Sequence, residues 1–226
     1  MFKKELCKFR GFYLISLLLL AGFLLYLGLG IRAALIHQGG MDINLMFIFN
    51  REFSLLHLTE LNLFISMLVS TLVFIHERIH ARLRLSLHFP RPVVLNIAYV
   101  VLVGFGCVAA LYILEWIIFN VIFSFAYPYE LLVILNLALV QNFIFALVLY
   151  LFIGGIIIEP APSQAIVHFV VMLACAYVYY RFNPDIYALP SFYANELGFL
   201  YLTLMGIYAI NALALAFDHY RQGYIK

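Results

Sequence analysis

His76-Glu77-Arg78-Ile79-His80-Ala81-Arg82-Leu83-Arg84-Leu85-Ser86-Leu87-His88-Phe89-Pro90-Arg91-Pro92 is a short basic stretch caught between two long apolar ones. It carries four of the thirteen Lys and Arg residues and three of the seven His. The chain around it has 226 residues, 66% of them apolar and 11% charged, with a mean hydropathy of +1.06. A soluble domain has roughly a quarter of its residues charged, so this chain cannot clothe a water-facing surface. It reads as an all-α polytopic membrane protein, a single transmembrane domain over residues 1–226 with no room for a soluble catalytic domain.

Working outward from the basic stretch gives six expected spans: about 12–31, 58–75, 93–114, 131–158, 165–180 and 197–217. The first apolar run is too long for a signal peptide and lacks a small-residue cleavage site, so it reads as a retained span. With both termini on the cytoplasmic side, that side holds Lys3, Lys4, Lys8, Arg10, Arg78, Arg82, Arg84, Arg91, Arg221 and Lys226. The other side keeps Arg32, Arg51 and Arg181. Ten against three is a positive-inside pattern, and it favours both the span count and the orientation. Residues 1–11 then form a cytoplasmic amphipathic segment with Phe2, Leu6 and Phe9 on its apolar side, and 181–196 an outer loop or re-entrant element. Cys7, Cys107 and Cys175 have no paired spacing, so neither a disulfide framework nor a metal cluster is expected.

The basic stretch admits two chemistries. His76-Glu77-x-x-His80 has the HExxH spacing, which on a helix sets two imidazoles on one face for Zn²⁺, with Glu77 as general base. Asn183-Pro184-Asp185 is a possible third ligand for an intramembrane zinc metalloprotease, but the expected topology puts it on the opposite side, about 30 Å away. The other reading is a docking helix. Ile79, Leu83 and Leu87 fall on one stripe, Arg78 and Arg82 on another with Arg84 near, and Pro90 and Pro92 stop the helix. An interfacial helix whose arginines meet anionic headgroups has the same composition.

The pattern Glu77-Arg78, Leu83, Leu85, Leu87 and Pro90 resembles the segment after the second span of ABC-2-type transporter permeases, which read Glu-Arg-Glu-x-Gly-Thr-Leu-Glu-Leu-Leu-x-x-x-Pro there. Ala81-Arg82 stands in place of Gly-Thr, and Ile79 in place of the third-position acid. The resemblance implies six spans with both termini cytoplasmic and a short amphipathic coupling helix at 77–92, between spans 2 and 3. It implies a bacterial inner-membrane subunit that pairs with a second permease copy or paralogue, contacts membrane lipids and no nucleic acid, and exports a lipid-like, amphipathic or small-molecule cargo. Partner binding would fall to Glu77, Arg78, Arg82, Leu83, Arg84, Leu87 and Pro90. The chain has no GxxxxGK[ST], so ATP and Mg would be bound by a separate cytoplasmic ATPase, and no cofactor or catalytic group is expected here.

Polar residues within the spans are the remaining candidates. Asn62, Ser66 and Ser70 give span 2 a polar side, and Asn136, Gln141 and Asn142 do so in span 4. Under the permease reading these six line a translocation path; ordinary bonding between helices accounts for them equally well. Glu60 and Glu115 are expected near the outer interface. Only His168 is placed for haem ligation, which speaks against a haem subunit. A non-catalytic accessory or assembly subunit is the remaining alternative.

Overall fold

The computed structural model describes residues 2–38, 56–79, 93–125, 127–182 and 195–225. Among them are six helices: α1 Phe2–Gln38, α2 Leu56–Ile79, α3 Val93–Phe123, α4 Tyr129–Ile158, α5 Pro162–Phe182 and α6 Glu196–Ile225. All six are long and apolar enough to cross a membrane. In hydrocarbon every backbone N–H and C=O needs an internal partner, and an unbroken helix supplies all of them. The chain is therefore a multi-pass membrane protein.

Prolines punctuate the bundle. Pro128 stands in extended conformation just before α4 (φ −65°, ψ 156°). At the other end Glu159 N–H donates to Gly155 O (3.0 Å), Pro160 follows, and Pro162 opens α5. Proline is tolerated in the first turn of a helix, where its missing N–H has no partner to lose. The α4–α5 connection is thus only three residues long, Glu159 to Ala161.

Contacts between the helices fix their directions. Bonds from α2 to α4 join 62 to 142, 66 to 146 and 70 to 150, so the two run parallel with a constant offset of 80. Helix α6 also runs parallel to α4, with Gly206 near Val148 and Gly155 against Leu213. Helix α5 runs antiparallel to α6, pairing Cys175 with Tyr201 and His168 with Tyr208. Helix α4 is the hub, packed against α2, α3, α5 and α6. Its Phe145, Ala146, Tyr150 and Phe152 are fully buried. By contrast α5 buries only His168, Met172 and Tyr179, and among the described side chains of α1 those that are buried are Ser16, Leu20 and Leu24. Among their described side chains, Leu18, Leu25, Ile166 and Val170 are more than half exposed, as lipid-facing side chains are.

Two adjacent glycines let α4 serve two neighbours at once. A Cβ on Gly154 would run into the ring of Phe74 on α2. A Cβ on Gly155 would lie 3.3 Å from the Leu213 backbone on α6. Consecutive helical residues point about 100° apart, so the pair lets α2 and α6 approach on different sides. Small residues at helix contacts are the usual device where lipid leaves little hydrophobic drive for association.

Candidate functional site: a polar seam inside the bundle

A column of polar side chains runs down the α2–α4 contact. Ser66 Oγ donates to Ala146 O (2.5 Å) and Ser70 Oγ to Tyr150 O (2.6 Å). One turn before Ser66, Asn62 Nδ2 donates to both Asn142 Oδ1 (3.1 Å) and Glu115 Oε1 (2.9 Å). The Tyr112 hydroxyl of α3 donates to Asn62 O (2.9 Å). The spacing of four residues along α2 sets these groups on one face, and α4 repeats the spacing. Ser66, Ser70, Asn62 and Glu115 have no solvent-accessible surface, and Asn142 is 3% exposed.

Glu115 is the group whose position differs most from the sequence expectation. A span 3 of about residues 93–114 puts Glu115 at an interface. Helix α3 instead continues to Phe123. Its spanning part is Ala98–Phe123, so Glu115 lies about 7 Å along the axis from its middle at 1.5 Å per residue. A carboxyl there is expensive to bury unless it is partnered. Among the described residues Asn62 supplies one hydrogen bond to it, while Glu115 Oε2 and Asn62 Oδ1 have no hydrogen-bond partner.

The six candidate path residues do not form one group. Asn62, Ser66, Ser70 and Asn142 share the seam. Asn136 belongs to a second network, where it and Asn120 exchange side-chain bonds (2.7 and 2.9 Å) and Trp116 Nε1 donates to Asn136 Oδ1 (2.9 Å). Gln141 is buried beside Asn142. The seam hydroxyls donate to α4 carbonyls.

Of the basic stretch, His76, Glu77, Arg78 and Ile79 are described, and they form the end of α2. Arg78 Nη1 donates to Ile157 O (2.6 Å) and so extends the seam to the end of α4, while Glu77 is 4% exposed. His80, Arg82, Leu83, Arg84, Leu87 and Pro90 lie outside the described residues, as do Asn183-Pro184-Asp185. Among the described residues no three metal-ligating side chains come together.

Sequence reading missed a second acid. Glu159, 1% exposed, closes α4, and both its carboxylate oxygens face His219 Nδ1 of α6 (3.0 and 3.1 Å). Oε1 also accepts from Ala161 N (3.2 Å). A Glu between a helix end and two prolines hinted at a cap, but nothing in the sequence connected it to a residue sixty positions later.

Comparison with protein-family profiles, curated proteins and solved structures finds no match to this chain.

Proposed function

We propose that this chain is the membrane-spanning subunit of an ATP-driven exporter of the ABC-2 permease type, working in a bacterial inner membrane with a separate ATPase polypeptide. A multi-pass bundle suits a transport or accessory role. The observation that carries the finer reading is the α2–α4 seam together with its last bond, Arg78 to Ile157 O. A helix that receives force from a cytoplasmic partner must pass it on without yielding. Helix α2 leads directly into residues 77–92, and a hydrogen bond at nearly every turn ties it to α4, which packs closely on α6. A push on that segment would move α2 and α4 together rather than bend α2 alone. The pattern Glu77-Arg78, Leu83, Leu85, Leu87 and Pro90 then marks where the ATPase docks, with Arg82 and Arg84 as its charged contacts.

Under this reading the cargo path runs between two copies of the chain, because the seam within one copy is closed by its own bonds. Outward apolar faces on α1 and α5 suit a lipid-like or amphipathic cargo.

The test is co-purification of the tagged chain with untagged partners, followed by an ATPase assay. An ATPase should accompany it, and Arg82→Glu with Arg84→Glu should cut the bound ATPase by at least about tenfold, equivalent to 1.4 kcal/mol. A complex without nucleotide hydrolysis would favour the accessory role. Recovery of the same ATPase with both arginines reversed would defeat the docking assignment.

A further inference from the structure

We infer that Glu115 is a proton-binding site inside the bundle, its carboxyl held in the neutral form by Asn62. Buried polar atoms are almost always paired, yet two oxygens on two residues already bonded to each other have no partner among the described residues: Glu115 Oε2 and Asn62 Oδ1. Both are acceptors when Glu115 is ionised, so neither satisfies the other. A single proton on Oε2 changes this. The carboxylic O–H becomes a donor, Asn62 Oδ1 is the orphaned acceptor on the same partner, and Asn62 Nδ2 already donates to Oε1 (2.9 Å). Carboxyl and carboxamide then form a cyclic pair with two hydrogen bonds, one in each direction.

The alternatives fit less well. Turning the Asn62 amide over would set its oxygen against Glu115 Oε1 and Asn142 Oδ1, the two atoms its nitrogen now serves. The hydroxyl of Tyr112 is committed to Asn62 O (2.9 Å). Glu115 and Asn62 have no exposed surface, and of the cations a proton is the one that needs no coordination shell. Binding forms one O–H bond on Oε2, breaks none in the protein, and takes the proton from water. The site joins α2, α3 and α4, because Asn62 also bonds Asn142. It stands independently of the ATPase reading.

Infrared spectra of the purified protein in lipid nanodiscs at neutral pH test it. The wild type should show the carbonyl stretch of a neutral carboxylic acid, and Glu115→Gln should lose it. Gln presents one donor and one acceptor in the same arrangement, so Glu115→Gln should keep the wild-type melting temperature while Glu115→Ala melts lower. A neutral-acid band equally strong in wild type and Glu115→Gln, or absent from both, overturns the assignment. Should Glu115→Gln fail to fold, the double variant Glu77→Gln with Glu159→Gln, which removes the other two buried glutamates among the described residues, labelled with ¹³C-glutamate, decides instead. A neutral-acid band that persists there and shifts with the label supports Glu115, and its absence overturns the proposal.

Discussion

Helix α4 is held on two sides by different means. Toward α2 it is bonded: hydroxyls and an amide reach across at 62, 66 and 70, each to a partner 80 residues on. Toward α6 it is close-packed: Gly155 lies against the Leu213 backbone, and Ala209, Ala212 and Ala216 are buried along α6. On that second side the polar pair of Glu159 with His219 lies at the end of the contact. The difference is one of register. A hydrogen bond to a particular carbonyl is lost if one helix slides by a residue. A face of small side chains still makes contact after such a slide, though with less precise fit. The α2 side therefore fixes where α4 sits along the bundle, and the α6 side fixes how near it sits.

The sharpest way to break this arrangement is at the point where both sides meet. Gly154→Val places a branched side chain where the Phe74 ring lies. Overpacking of this kind costs about 1–3 kcal/mol and occasionally more, and the upper end is expected because Phe74 is fully buried. Thermal unfolding in detergent should show the loss, and Phe74→Ala in the same chain should recover part of it. An unchanged melting temperature would mean that α2 does not press on α4 there.

A smaller effect is expected from Ser66→Ala and Ser70→Ala. Hydrogen bonds between membrane helices average about 0.6 kcal/mol, with a maximum near 1.7, so the double variant should lose roughly 1 kcal/mol. Cysteine crosslinking between α2 and α4 should then show more than one register. A single register in the double variant would show that apolar packing, not the hydroxyls, sets the alignment. Smallest of all is Gly206→Ala on the α6 side, where the added Cβ would sit 3.5 Å from Val148, an ordinary contact. The expected change is within about 0.5 kcal/mol. A loss as large as that of Gly154→Val would show that the α6 side is as unforgiving as the α2 side.

Much of this fold is legible in the sequence because a bilayer imposes one simple rule on length and polarity. Six apolar runs give six helices, and Pro128, Pro160 and Pro162 mark two of the turns. The polar face of α2 is also visible from the spacing of Asn62, Ser66 and Ser70. What is not visible is the pairing. An offset of 80 residues between parallel helices arises from packing in three dimensions and leaves no local trace. The end of α3 was misread for a related reason. Trp116 and Asn120 carry polar groups just past the expected end of span 3, yet Asn120 bonds back to Trp116 O (2.8 Å) and across to Asn136. With their polar groups satisfied by a neighbouring helix, they leave α3 free to continue, and Glu115 moves into the interior with it.

The parallel seam also has a consequence in time. A ribosome delivers helices in order, and α2 enters the membrane well before α4 has been made. Thr71 and Thr203 bond to carbonyls four residues back in their own helices, Met67 O and Phe199 O (both 2.7 Å), and need wait for nothing. Ser66 and Ser70 find their final partners only when a helix two spans later arrives, so the nascent chain must hold two hydroxyls in reserve until its fourth span comes.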